Sequence, residues 1–189
     1  VLANKLSEHG RHSVLLLEQG KKDSSFLLRM PKGFGAVLAG NDYVSRYPVT
    51  RGANEPSGEV WLRGKTLGGS SSVNGMIWLR PQPESFSALA RAGGEQWDWS
   101  HMAPCFQALD GAGGGDGVFP VNTHKTQHDI TNAFIAAASA GGLPRHDFLP
   151  DIGREGVAHL RFNIDDKGKR RSASAAFLKP LARHPNVRI

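Results

Sequence analysis

Four consecutive apolar residues, Val14 to Leu17, stand between Ser13 and Glu18. A continuous apolar run this short suits a strand of a parallel sheet, buried on both faces by flanking helices. The stretch before it, "VLANKLSEH" (residues 1–9), places Val1, Leu2 and Leu6 on one helical face, and Gly10 is a natural stop for that helix. Helix, glycine, buried strand and an acid at the strand's carboxyl end thus follow in order. That order is the second half of a dinucleotide-binding βαβ unit, where an acid about 20 residues after a glycine-rich turn hydrogen-bonds ribose hydroxyls. Seventeen residues precede Glu18, so the glycine turn and the strand before it would fall ahead of Val1. Glu18 is a candidate ribose ligand on this pattern; an ordinary strand ending in an acid fits the same residues.

A second stretch, "RGKTLGGSSSVNGMIWLR" (residues 63–80), opens on cations, passes through Gly-Gly-Ser-Ser-Ser and closes on apolar residues. A plain linker would stay polar at both ends. Here Val73, Met76, Ile77, Trp78 and Leu79 are expected to be buried, anchoring a backbone that is brought close to a ligand. Residues 21–62 read as irregular, ending in the alternating "EVWLR". "PESFSALARAGG" predicts a helix stopped by Gly93 and Gly94. "WDWSHMAPCFQALD" predicts another, with Ser100 as N-cap and Phe106 and Leu109 in the core. "GAGGGDG" (residues 111–117) reads as a loop or subdomain junction. "HDITNAFIAAASAGGLP" predicts a helix with Ile130, Phe134, Ile135 and Ala138 on its buried face. "GVAHLRFNID" reads as a strand entering a hairpin at Gly168, and "SASAAFLKPLARHPNVRI" as a short helix, a break near Pro185 and a further strand. Helices mixed with buried and alternating strands make an α/β or α+β assembly.

With 39% hydrophobic and 21% charged residues, the chain has the balance of a globular protein. No apolar run approaches the roughly 20 residues of a membrane helix, so no membrane span is expected. No basic stretch followed by an apolar core starts the chain, so no secretory signal is expected. The single cysteine, Cys105, excludes an internal disulfide and a cysteine metal cluster, and suits a reducing, cytoplasmic setting. The net charge of +6 favours anionic partners, and its densest cluster is "KGKRR", Lys167 to Arg171. Without interleaved aromatics that cluster reads as a solvated hairpin tip, and no nucleic-acid partner is expected. A basic nucleic-acid-binding domain relying on those residues is the least favoured alternative. His124 and His128 stand four apart, a spacing that could share a metal, but no third ligand accompanies them and no metal site is expected. Ser70 to Ser72 lack the G-x-S-x-G turn of a serine nucleophile.

"LLLEQG", "RGKTLGGSSSVNGMIWLR" and "RRSASAAFLKP" together resemble the glucose–methanol–choline (GMC) oxidoreductases, FAD-dependent enzymes that act on alcohols, and their choline-dehydrogenase-like branch in particular. The likeness also takes in "WDWSHMAPCF", "GGDGVFPV" and "HDITNAFIAAASAGGLPRHDF". It implies an α/β (α+β overall) fold: an incomplete Rossmann-like FAD-binding domain with part of a substrate-binding domain. Residues 1–110 would be FAD-binding sequence, lacking the first strand and glycine loop but with flavin-covering segments. Residues 111–170 would contribute to the substrate domain, and 171–189 would return to the FAD domain. By the same resemblance Glu18 holds the adenosine ribose, and Leu67, Gly68, Gly69, Ser70 and Ser71 let the backbone approach FAD. Asn74, Gly75, Met76 and Ile77 would run beside the flavin, with Arg63 and Lys65 adding positive charge; Asn74 otherwise reads as a turn cap. Trp78 reads as core and not as a ring stacked on flavin. Some members carry a flavin-linked histidine where this chain has Val73, so FAD is expected to be non-covalent. After Arg80 the family's Gly and Tyr-Asp give way to Pro81 and then Phe86-Ser87. The family's catalytic histidine would lie beyond Ile189, so no catalytic residue is expected within the chain, and the 189 residues alone are expected to bind FAD poorly and oxidise nothing. The implied substrate is a small-molecule alcohol, with the electron acceptor unknown. The alternative from another class is a nucleotide-binding module without catalysis.

Overall fold

The computed structural model describes residues 1–51, 55–110, 117–123, 125, 127–147 and 155–189, and of 55–57 the backbone only. In chain order its elements are helix α1 (Leu2–Ser7), strand β1 (Val14–Leu15), helices α2 (Phe26–Arg29) and α3 (Phe34–Ala39), and strands β2 (Val44–Arg51), β3 (Glu55–Gly64) and β4 (Ile77–Trp78). Helices α4 (Pro83–Gly93) and α5 (Trp99–Asp110), strand β5 (Asn122–Thr123), helix α6 (Asp129–Ala140) and strands β6 (Arg161–Phe162) and β7 (Val187–Arg188) follow. A 3-10 turn spans Gly69–Ser72 and a π turn spans Ser174–Leu178. These elements form two compact units, residues 1–76 with 168–189 and residues 77–167. Helices with a parallel pair in one unit, and with antiparallel strands in the other, make the α/β (α+β) assembly that the sequence predicts.

In the first unit β1 and β7 pair in parallel, Val14 opposite Val187 and Leu15 opposite Arg188. The expected parallel pairing is present, but burial on both faces is not. Val14 and Leu16 pack against Ala3, Leu178 and Leu181, whereas Leu15 and Leu17 are 64% and 84% exposed. Alternate residues of an extended chain face opposite sides, and among the described residues this apolar core lies on one side only. Helix α1 is also turned from its expected orientation: Ala3 and Ser7 are buried, while Leu2 and Leu6 are exposed. Small residues four apart let the helix backbone approach the Leu178–Leu181 segment more closely than leucines would. Enlarging the contact should therefore cost more than trimming the exposed face. In urea unfolding, Ala3→Leu should destabilise by about 1–3 kcal/mol, and Leu2→Gln should stay within about 0.5 kcal/mol of the parent.

The stretch read as irregular holds α2, α3 and an antiparallel hairpin of β2 and β3, with Val44 opposite Gly64 and Ser45 opposite Arg63. Its register shifts between Pro48 and Thr50. A proline beside a bulge interrupts the alternation by which a strand is recognised in sequence, yet the ladder tolerates it there. Leu28, Val37, Val44 and Val73 form the core beneath. Arg46 caps α3, donating from Nη2 to the Leu38 carbonyl at 2.6 Å and from Nη1 to the Gly40 carbonyl at 2.9 Å.

In the second unit β6 lies between β4 and β5, with Phe162 opposite both Ile77 and Asn122. The rings of Phe86, Trp99 and Phe106 cluster at centroid separations of 5.3–5.9 Å and join α4 to α5. Phe106 and Leu109 are only half-buried there. Ser100, expected as the N-cap, lies inside α5; the Asp98 carbonyl accepts the His101 and Met102 amides, and the Ser100 hydroxyl donates to Asp98 Oδ2 at 3.2 Å. In α6 Ile135 is buried, but Ile130 and Phe134, assigned to the same face, are 81% and 68% exposed. Ile135 is the buried residue of the helix, so its buried stripe is narrower than the sequence pattern implies. Most of "GAGGGDG", to Asp116, lies outside the described residues. Among the described residues no helix is long and apolar enough to cross a membrane.

Candidate functional site

The glycine–serine loop is held chiefly by its own hydroxyls. Ser72 Oγ donates to the Leu67 carbonyl at 2.8 Å, and Ser71 Oγ donates to the Gly68 carbonyl at 2.6 Å while accepting the Ala173 amide at 2.9 Å. Ser70 Oγ accepts the Gly64 amide at 3.1 Å. Gly68 and Gly69 have φ of 86° and 56°, a conformation that side chains disfavour. At Gly68 the close approach is made by the protein itself, since a Cβ there would lie 2.5 Å from Ser72 Oγ and 3.0 Å from the Ser174 nitrogen. At Gly69 and Gly75 a Cβ would meet no atom within 4 Å, so the bare backbone faces open space.

Glu18 is brought to this loop through the two residues that follow Gln19. It is half-buried, and its Oε1 accepts the Gly20 amide at 2.7 Å. Lys21 then bridges Thr66 in parallel, and its carbonyl accepts from Thr66 Oγ1 at 2.7 Å and from the Leu67 amide at 3.3 Å. The two stretches singled out in the sequence therefore meet, and the contact that joins them, Gly20–Lys21 on Lys65–Leu67, was not foreseen. The Leu67 side chain itself packs into the Ala3–Leu181 core.

Beyond the loop the expected burial is half correct. Val73 and Met76 are 3% and 4% exposed, but Ile77 and Leu79 are 51% and 56% exposed. Met76, at φ 64°, turns the chain into extended β4, after which alternate residues face opposite ways. Trp78 takes the inner side: its Nε1 donates to Asp110 Oδ2 at 2.6 Å and its ring lies 5.3 Å from that of Phe119. Ile77 thus belongs to the second unit, and the other nine site residues belong to the first.

Arg63 is exposed, with its guanidinium 4.9 Å from the Trp61 ring centroid, and Lys65 is half-buried. Arg170 was missed. The reading of "KGKRR" as a solvated tip holds for Lys167 and Lys169, which are exposed, but Arg170 is 6% exposed. A turn is present: Gly168 has φ 72°, and Asp165 Oδ1 accepts the Lys167 amide at 3.0 Å. Past that turn the chain re-enters the first unit. There Arg170 Nε donates to the Leu28 carbonyl at 2.8 Å, and Nη1 to the Ser71 carbonyl at 3.2 Å and to Asn74 Oδ1 at 2.8 Å. Burial pushes its guanidinium down to about 10, still above neutrality, so it remains a cation. Its Nη2 is buried with no partner among the described residues. The surrounding charge run hid this residue; the signal was its place just before "SASAAFL", whose residues 174–178 are all buried. Among the described residues no group of three or more His, Cys, Asp or Glu side chains could hold a metal, and His124 lies outside them.

The loop therefore offers a bare backbone edge at Gly69 and Gly75, a carboxylate from Glu18, an exposed carboxamide at Asn74 and a buried cation behind it. Such a set suits a ligand rich in hydroxyl, carbonyl and phosphate oxygens. The profile of the GMC oxidoreductases matches residues 38–189. The mitochondrial choline dehydrogenase of Mus musculus is 34% identical over all of this chain, which covers 34% of that protein. An alcohol dehydrogenase (acceptor) of Pseudomonas putida is 32% identical over all of this chain and 36% of its own length. Among solved structures, pyridoxine 4-oxidase from Mesorbium loti superposes with a TM-score of 0.87 at 30% identity, over 100% of this chain and 39% of its own. Formate oxidase shares the fold, with a TM-score of 0.77 at 23% identity over 98% of this chain and 35% of its own. The chain spans about a third of the length of the curated relatives it matches.

Proposed function

The chain belongs to the GMC oxidoreductase family, and from that membership we propose that it supplies part of the FAD cradle of an enzyme passing hydride from an alcohol CH–OH group to flavin. The observation that carries this is the junction of Glu18 with a loop whose backbone is bare at Gly69 and Gly75. FAD, when bound, supplies the redox centre; the protein supplies position and electrostatics. Glu18 keeps one carboxylate oxygen on the Gly20 amide and has the other to accept a ribose hydroxyl. Leu67 to Ser71 set the backbone edge that the cofactor approaches, and Asn74 to Ile77 continue it. The first unit belongs to the FAD-binding domain in this assignment. The second carries flavin-covering segments up to residue 110 and substrate-domain segments after it.

The Val73 side chain lies in the core with Leu28, Val37 and Val44, and has no group that could bond to flavin, so we assign FAD as non-covalent. The substrate is a small-molecule alcohol, in keeping with the names of the choline and alcohol dehydrogenases above. The exposed free thiol of Cys105 suits a reducing, cytoplasmic setting. Two measurements on the full-length protein test the proposal. Acid precipitation should release the flavin into the supernatant; flavin remaining with the pellet would refute the non-covalent assignment. Anaerobic addition of small alcohols, choline among them, should bleach the flavin absorbance with at least one member of the panel. A protein that takes up no FAD, or whose flavin no alcohol reduces, would not be this enzyme.

A further inference from the structure

A guanidinium is driven into the interior only where acceptors replace its water, and Arg170 finds three, one at Leu28 on α2 and two, at Ser71 and Asn74, on the glycine–serine loop. Its backbone adds a fourth tie, the Arg170 amide donating to the Arg29 carbonyl at 2.9 Å. One of the side-chain acceptors is unlike the others. Asn74 Oδ1 accepts from Arg170 Nη1 at 2.8 Å and also from the Met76 amide at 3.1 Å. Both partners can only donate, so the end of the carboxamide that faces them has to be its oxygen. The Nδ2 end is turned away from both, on a residue that is exposed. A cation on the oxygen also polarises the amide and makes the Nδ2 hydrogens better donors. Met76 meanwhile holds a φ of 64°, which a non-glycine residue keeps only where its surroundings hold it. The Asn74–Met76 bond is part of that hold.

We propose that Arg170 is a positioning residue of the cofactor loop: by holding Asn74 Oδ1 it turns the Nδ2 amino group outward, as a donor to an acceptor atom of the flavin. This rests on the FAD assignment above. Arg170 itself acts through Asn74, and the loop without it would lose the direction of its amide and the conformation of Met76 together.

Four variants of the full-length protein separate the two claims: Arg170→Met, Arg170→Lys, Asn74→Ala and Asn74→Asp. The first readout needs no cofactor. In the apoprotein Arg170→Met should speed hydrogen exchange of the Met76 amide about tenfold or more, the loss of one charge-assisted hydrogen bond. Asn74→Asp should leave that exchange slow, because a carboxylate still accepts from both donors. The second readout is FAD affinity by flavin-fluorescence titration, together with the flavin midpoint potential. Arg170→Met and Asn74→Asp should each weaken FAD about tenfold, and Arg170→Met placed on Asn74→Ala should add no more than about twofold, because the two act as one unit. Asn74→Asp should also lower the potential. Unchanged exchange in Arg170→Met, losses that simply multiply, or Asn74→Asp binding FAD as tightly as the parent would overturn the proposal. Should Arg170→Met not fold, Arg170→Lys takes its place, with a smaller rise in exchange because one ammonium cannot span all three acceptors. A parent that binds no FAD while Arg170→Met still frees the Met76 amide would sink the cofactor assignment, and the outward donor's ligand with it, yet support the hold of Arg170 on Asn74.

Discussion

Gly20→Ala should cost about 2–4 kcal/mol of stability in urea unfolding and release FAD from the full-length protein, a large share of the roughly 5–15 kcal/mol that keeps a domain folded. The reason is where its side chain would go. A Cβ at Gly20 would run into the carbonyl carbon and oxygen of Lys65, which are backbone and cannot swing aside. The segments would have to part. Parting them loses two hydrogen bonds to the Lys21 carbonyl, each worth about 1 kcal/mol. For one of the two, from the Thr66 hydroxyl on a residue 0% exposed, the cost rises to about 1–3 kcal/mol because the buried hydroxyl is left without its acceptor. The same movement separates Glu18 from the loop, so stability and cofactor retention should fall together. Two other glycines act as controls. Gly69→Ala meets no atom within 4 Å but keeps φ 56°, and should cost only about 1–2 kcal/mol. Gly35→Ala, with open space around it inside α3, should stabilise by about 0.5–1 kcal/mol. Gly20→Ala behaving like Gly69→Ala would mean that the two segments do not depend on backbone contact.

The sequence showed the two stretches that matter and the family they belong to, because glycine, serine and an acid after an apolar run are local signals. It did not show what joins them. Gly20 and Thr66 are ordinary residues whose importance lies in a contact between stretches 45 residues apart, and no periodicity records such a contact. Arg170 was lost for a related reason: composition treats a charge run as one object, whereas the fold places a turn inside it and sends its members to different environments. Helices α4 and α6 were found where glycines at positive φ, Gly94 and Gly142, stop them, whereas α3, which ends at Gly40, was not. Their buried faces were misjudged in α1 and α6. In α1 the close contact is made by Ala3 and Ser7 and the leucines lie outside, and in α6 Ile135 is buried while Ile130 and Phe134 are not, so hydrophobic size pointed to the wrong side. The hairpin of β2 and β3 escaped because a proline and a bulge break its alternation. Ile77 illustrates the limit of reading a motif as one block: its neighbour Met76 is buried and Ile77 is not, since the chain becomes extended between them.

Asp110→Ala should destabilise the second unit by about 3–5 kcal/mol, the usual result of removing one member of a buried ion pair. Asp110 is 4% exposed at the end of α5 and takes three donors from β4 and the residues after it. Trp78 Nε1 donates to Oδ2 at 2.6 Å, Arg80 Nε to the same oxygen at 2.9 Å, and Arg80 Nη2 to Oδ1 at 2.5 Å. The two-pronged arginine contact fixes direction as well as charge. Without the carboxylate a half-buried guanidinium loses its counter-charge and the indole N–H loses its acceptor, so the loss exceeds that of a surface pair, which is at most about 1 kcal/mol. The surface pair Lys21–Asp42, with both side chains more than half exposed, is the comparison within this chain. Asp42→Ala should move the urea midpoint little. Asp110→Asn is the sharper test: it keeps the shape and one acceptor oxygen, which in the place of Oδ2 can still hold Trp78 and one prong of Arg80. It should recover part of the loss, and Trp fluorescence should report a changed Trp78 environment in both variants. Equal, small effects from Asp110→Ala and Asp42→Ala would show that α5 is held to β4 by its aromatic and apolar contacts alone.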